Sequence, residues 1–174
     1  MSDFTIRSAT SEDASVLSAL ASRTFNDTFA GVNSPEDMAA HNARSYGAAI
    51  QREEIESPSI RTLLVEAAGQ AIAYAQLRQI AAPACVDTQP TIELWRFYVD
   101  KAAIGRGVAQ RLMDAVLQVA KDVGANSIWL GVWEHNPRAI AFYRKCLFSE
   151  IGSHVFQLGA DMQTDLIFER ALRA

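Results

Sequence analysis

Hydrophobic positions along the chain follow two periods, and the switches between them outline the elements. "FTIR" near the start alternates and reads as a short strand. A three-to-four-residue spacing then runs through "DASVLSALASRTF", where Thr10 and Asp13 fit a capping box. "NSPEDMAAHNARSY" predicts a second helix, with Ser34 as N-cap and Pro35 at the first helical position. A shorter third helix covers "AAIQREEIES". The two-residue period returns in "IRTLLVEAAGQAIAYAQLRQI", two β-rich runs around "AAGQ" that predict a hairpin. A loop with Pro83 and Pro90 leads into a strand over Thr91–Val99. Next come an amphipathic helix closed by Gly124, the strand "SIWLGVW" and the helix "PRAIAFYRKC". Two alternating runs, "IGSHVFQL" and "TDLIFERAL", complete the set. This order predicts an α+β domain whose early strands are antiparallel and whose middle adds one parallel crossover.

Length and composition narrow the class. The 174 residues hold no repeat or low-complexity linker, so residues 1–174 read as a single domain. Apolar residues make up 49% without a long uncharged run, which predicts a buried core and no membrane segment. The opening "MSDFTIRSATSEDAS" lacks the apolar stretch of a secretory signal, and Cys85 and Cys146 match no metal spacing. Reduced thiols and a cytoplasmic location are therefore expected. The three histidines, His41, His135 and His154, show no metal spacing either, and no metal is expected. A formal net charge of -4 argues against a nucleic-acid partner and suits a cationic or neutral substrate.

The most distinctive stretch is "VDKAAIGRGVAQRLM", where a strand runs into a helix through Gly105, Gly107 and Ala109. The first four N–H groups of a helix have no internal partner and, with the helix dipole, form a seat for an anion. Small residues there let a pyrophosphate reach the backbone. A tight turn with glycines for conformational reasons is the other reading. Two common phosphate motifs are missing. Gln110 stands where a dinucleotide fingerprint has its third glycine, and no Gly-Lys-Ser/Thr follows.

"YVDKAAIGRGVAQRLM" resembles the acyl-CoA-binding motif of the GNAT superfamily of N-acyltransferases, Gln/Arg-x-x-Gly-x-Gly/Ala. Gly107 and Ala109 match it, and Ile104 replaces its first residue. "LGVWEHNPRAIAFYRKCLF" is similar to the second signature of that family through Asn136, Ala139, Phe142, Tyr143 and Phe148, with Leu147 where glycine is usual. The resemblance implies a mixed, mostly antiparallel sheet flanked by helices, and acetyl-CoA as cosubstrate. It implies that the pantetheine arm pairs with backbone beside Phe97, Tyr98 and Val99. The pyrophosphate would lie on Ile104, Gly105, Arg106, Gly107, Val108 and Ala109. Asn136 would bind the arm, cap its helix, or both, and Lys145 would reach the CoA phosphates or stay solvated.

The implied chemistry makes four demands: a held thioester, a polarised carbonyl, an acid for the leaving thiolate and a base for the acceptor. A backbone N–H near Tyr98 or Val99, released by a bulge, is the expected oxyanion donor. Tyr143 matches the family's general acid, since a tyrosine near pKa ~10 can protonate a thiolate whose conjugate acid lies near ~8.5. An ammonium has no lone pair and must lose a proton, for which Glu93 is the first candidate, through water, and Glu134 the second.

A narrower likeness, in "TFNDTF", "NSPEDM", "IWLGVWE" and "QTDLI", points to the bacterial spermidine/spermine acetyltransferase branch. The family's fold would gather Glu36, Asp37, Glu93, Glu134, Asp161 and Asp165 near the acceptor entrance. The partner is then a small-molecule amine. A peptide N-terminus, another small amine, or a non-catalytic acyl-CoA sensor are the alternatives, and a homodimer is compatible with the family.

Overall fold

The structure is a computed structural model that describes residues 4–158 and 161–172, with backbone only at 156–158 and 161. Its strands are β1 (Thr5–Ser8), β2 (Ile60–Ala67), β3 (Gln70–Arg78), β4 (Thr91–Val99), β5 (Ser127–Trp133), β6 (Ser149–Leu158) and β7 (Asp161–Ala171). The helices are α1 (Ala14–Phe29), α2 (Pro35–Ser45), α3 (Ala48–Glu56), α4 (Val108–Asp122) and α5 (Pro137–Lys145). The strands form one sheet in the order β1-β2-β3-β4-β5-β7-β6. Only β4 and β5 run parallel, as the strand–helix–strand crossover requires; every other pair is antiparallel.

Local signals account for the element starts. Asp13 accepts the N–H of Thr10 at 2.8 Å and also holds Arg7, which reaches on to Glu66 at 2.9 Å. This ties the first strand to the first helix and to β2. Ser34 Oγ accepts the N–H of Asp37 at 3.1 Å, with Pro35 leading α2. At the hairpin, Ala68 and Gly69 both take positive φ (49° and 75°), the combination a two-residue turn needs to follow the strand twist. Helix α4 buries Val108, Leu112, Met113, Val116, Leu117 and Ala120, a single stripe at helical spacing.

Two cores sandwich the sheet. On one face α4 and α5 cover Leu77, Ile92, Leu94, Ile128, Leu130 and Phe168. On the other, α1 and α2 cover Leu64 and Tyr74 with Leu17, Leu20 and Phe25. Burial of this kind contributes roughly 25 cal/mol per Å² of apolar surface.

The sheet is interrupted at its centre. The parallel pairing of β4 with β5 spans only Thr91↔Ser127, Ile92↔Ile128 and Glu93↔Trp129. Beyond Glu93 the two strands part, so one edge of residues 94–99 has no strand beside it. The other edge stays paired with β3, through a bulge that fits Trp95 as an extra residue between Leu94 and Arg96.

Candidate active site

The parting of β4 and β5 opens a cleft of about 1110 Å³ that runs from the start of α4 to the ends of α1 and α2. One half is built from backbone. Gly107 caps α4 with φ 79°, a left-handed conformation that glycine adopts without penalty. Among the described residues, the N–H groups of Gly105, Gly107, Val108, Ala109 and Gln110 find no acceptor; the first to close onto the helix is that of Arg111, to Gly107 O at 3.2 Å. A side chain on Gly105 or Gly107 would project into open space. A concentrated group of outward N–H donors at a helix start suits a phosphate.

Tyr143 stands between the two halves, on α5. Its ring meets Phe97, Phe142 and Phe148 edge-on, with centroids 6.3, 5.6 and 5.8 Å apart. Burial raises its pKa above the ordinary tyrosine value, with Cys146 adding to the shift, so its proton stays in place at neutral pH. Asn136 caps α5 by accepting the Ala139 N–H at 3.2 Å and also lines the cleft.

The other half is aromatic and charged. Trp95, the bulged residue, has two guanidiniums over its ring, Arg96 at 3.6 Å and Arg78 at 4.0 Å from its centroid. Neither cation is free. Arg78 is ion-paired with Glu93, and Arg96 is bonded to Glu54 at 2.5 Å and to Gln76 at 2.7 Å. His41 stacks on Phe25, and burial together with Arg96 pulls its pKa down to about 4, which keeps it neutral near pH 7. Asp165 reaches in from β7, and its pKa is raised to about 6 by burial, against a lowering pull from His154. Asp27 sits exposed on the α1 rim.

The expected site residues mostly converge. Phe97, Tyr98, Val99, Ile104, Gly105, Gly107, Ala109, Asn136, Tyr143 and Lys145 all line the cleft. Arg106 does not; its side chain lines a separate groove of about 470 Å³ with Arg23 and Asp100. The Val108 side chain is packed in the core, which leaves only its N–H for a ligand. The bulge falls at Trp95, ahead of the expected position near Tyr98. Glu93 lines the cleft but is committed to Arg78, and Glu134 lies outside it, half-exposed beside His135. Of the other four carboxylates expected at the entrance, only Asp165 lines the cleft; the Asp161 side chain lies outside the described residues.

The profile of the Acetyltransferase (GNAT) family matches residues 23–148, well over half of the chain. The chain belongs to this family. It is 32% identical, over 88% of its length and 89% of the relative's, to an uncharacterized N-acetyltransferase of Lactobacillus delbrueckii subsp. lactis. The fold of the PaiA N-acetyltransferase of Thermoplasma acidophilum, crystallised with coenzyme A, superposes with a TM-score of 0.76 at 23% identity, covering 97% of this chain and 98% of that one. The spermidine/spermine N-acetyltransferase SpeG of Vibrio cholerae gives 0.71 at 20% identity, covering 99% and 95%.

Membership in the GNAT family makes the protein an N-acetyltransferase and acetyl-CoA its cosubstrate. The residues present fit that cosubstrate: the outward amides from Gly105 to Gln110 suit its pyrophosphate, and the free edge of β4 suits an extended, amide-bearing arm. Trp95, Arg78, Arg96 and Gly131 were not legible as site residues. Arg78 and Arg96 look like ordinary strand charges until the bulge brings Trp95 against both. Among the described residues no cluster of His, Cys, Asp and Glu could hold a metal ion, and no helix is long and apolar enough to cross a membrane.

Proposed function

We propose that the protein acetylates a primary amine of a small polycation of the spermidine or spermine kind. The observation that carries this reading is the charge balance of the acceptor half of the cleft. Its two arginines are each neutralised by a carboxylate, Arg78 by Glu93 and Arg96 by Glu54, and His41 is neutral. Asp27 at the rim and Asp165 in the interior remain, neither of them paired with an arginine or lysine among the described residues. Two separated carboxylates between aromatic walls favour a chain carrying more than one positive charge, through charge pairing and cation–π contact. The likeness in fold to the spermidine/spermine N-acetyltransferase SpeG supports the same reading.

Acetyl-CoA supplies an activated acyl group, and the chain's residues do the rest. The amides at the start of α4 hold the anionic end. A backbone N–H on the free edge of β4, near Tyr98 or Val99, faces the carbonyl oxygen and favours the charge that grows on it. Tyr143 protonates the departing sulfur. The gap between its raised pKa and that of a thiol in water narrows because a thiolate forming in the same desolvated cleft is also more basic. Asn136 and Lys145 border the arm.

The test is a panel assay with acetyl-CoA and a thiol reagent, comparing spermine, spermidine, a monoamine of similar length and a neutral peptide with a free N-terminus. Higher kcat/KM for the polyamines is the expected result. A peptide that outperforms spermidine would transfer the assignment to peptide N-termini, and CoA binding without turnover of any amine would leave a sensor.

A further inference from the structure

Strand β5 presents Trp129, Gly131 and Trp133 toward the acceptor half of the cleft, and the middle residue has no side chain. Gly131 is paired with Ile167 of β7, and because β4 has parted from β5 by this point it is exposed to the cleft. The space above it is bordered by two groups from neighbouring strands. A Cβ built on Gly131 would stand 3.2 Å from Asp165 Oδ2 and 3.4 Å from His154 Cε1. Trp129 and Trp133 flank Gly131 along β5 on the same face and line the same cleft, and Trp129 Nε1 is buried without a hydrogen-bond partner. The result is a small seat with an open floor, aromatic walls and one carboxylate at its side.

We propose that this seat receives the ammonium of the acceptor, and that Asp165 takes its proton before the acetyl group is transferred. The proposal rests on the N-acetyltransferase reading above and adds to it the identity of the base. Glu93, the first candidate on sequence grounds, is ion-paired with Arg78 through Oε2. Among the described residues Asp165 has no arginine or lysine partner; the nearest basic side chain is His154, with Nε2 3.9 Å away. The titratable groups facing Asp165 are His154 from β6 and Tyr98 from β4, with His41 and Asp27 lining the same cleft from α2 and α1; β5 contributes none.

Electrostatics support the geometry. With its pKa near 6, Asp165 is ionised at neutral pH, yet it holds a proton about a hundredfold more tightly than a carboxyl at the ordinary 3.8. The same desolvation lowers the pKa of an ammonium placed beside it, which brings donor and acceptor closer together. The proton count closes. Asp165 takes one proton from the ammonium and exposes the nitrogen lone pair. That pair forms the N–C bond as the C–S bond breaks, and Tyr143 gives the sulfur its proton. The nitrogen, now bonded to the acetyl carbon, sheds its second proton to water, water restores the proton of Tyr143, and Asp165 releases its own. His154, 40% exposed, lies with Nε2 3.9 Å from Asp165.

The experiment compares the wild-type protein with Asp165→Asn and Gly131→Ala. The wild-type kcat/KM for spermidine should fall at acid pH with an apparent pKa near 6. Asp165→Asn should lose that limb and at least a hundredfold in kcat/KM, while calorimetry shows unchanged CoA affinity. Asp165→Asn should also raise Tm at pH 7.5 and less so at pH 5. The reason is that a carboxyl whose folded pKa exceeds its unfolded one weakens the fold progressively as pH rises from the ordinary 3.8 to about 6, and in full above it. A fall in Tm at pH 7.5 would count against a desolvated seat. Gly131→Ala should raise the spermidine KM tenfold or more with CoA affinity intact. If Asp165→Asn fails to bind CoA and has therefore misfolded, this second variant decides, and an unchanged KM overturns the seat. A wild-type protein active on amines whose Asp165→Asn form keeps the acid limb overturns the proposal alone. A wild-type protein that acetylates no amine overturns the reading beneath it.

Discussion

The rings of Phe97 on β4 and Phe142 on α5 stack at 5.5 Å, joining the strand that borders the arm to the helix that carries Tyr143. Tyr143 is thus held by ring contacts on three sides, independently of its hydroxyl. Tyr143→Phe should keep the packing and remove only the proton donor. We expect kcat to fall by about 10²–10⁴ with little change in KM, read by steady-state kinetics. Full retention of kcat would reduce Tyr143 to a packing residue.

The start of α4 offers a direct test of cosubstrate placement. Gly107→Glu puts a carboxylate among the outward amides and forces a left-handed backbone on a residue with a Cβ. CoA affinity should drop beyond calorimetric detection. Ile104→Gln, by contrast, restores the family's usual residue at a part-exposed position and should leave affinity equal or slightly improved. Unchanged CoA binding in Gly107→Glu would move the pyrophosphate elsewhere.

Charge pairing across the cleft predicts a salt signature. Exposed pairs contribute only ~0.2–1 kcal/mol each and are screened as ionic strength rises. The KM for spermine should therefore climb between low and high salt by more than the KM of a monoamine of similar length. Parallel KM values for the two would remove the role given to Asp27 and Asp165 together.

Leu147 departs from the family's usual glycine, and its backbone shows why glycine is common there. It takes φ 65° just after the α5 C-cap, with its side chain 71% exposed. A left-handed conformation costs a residue with a Cβ about 1–2 kcal/mol, while glycine adds unfolded-state entropy that offsets part of the relief. Leu147→Gly should raise stability by about 0.5–1 kcal/mol in urea titration, with activity unchanged. A loss of stability would mean that the leucine side chain contributes contacts worth more than the strain.

Most of the fold was legible because its elements are locally consistent. Ser34 with Pro35, the turn at Ala68 and Gly69, and the α4 stripe each carry their own signal. Boundaries drifted where tertiary packing decides: α1 continues to Phe29, whose ring packs against Trp133, a partner more than a hundred residues away. The cosubstrate half of the site was legible for the same reason, since a helix start stripped of side chains is a local feature. The acceptor half was not. Its character depends on cross-strand pairings such as Arg78 with Glu93, and on an absent side chain at Gly131, and neither has a periodic signature. Asp165 could be named as one carboxylate among several, but its burial becomes visible only when β5, β6 and β7 come together.

The three residue pairs that join β4 to β5 have a consequence for how the molecule comes apart. Hydrogen bonding divides the sheet into two ribbons, β1 to β4 and β5 to β7, riveted at Thr91–Glu93 and by the Asn126 N–H to Pro90 O just before it, and otherwise bridged by side chains beneath α4 and α5. An extended ligand lying along the free edge of β4 would act as a short eighth strand between them. Amide deuterium uptake at residues 94–99 would then slow on binding, and the two ribbons, which can breathe separately when empty, would open as one unit.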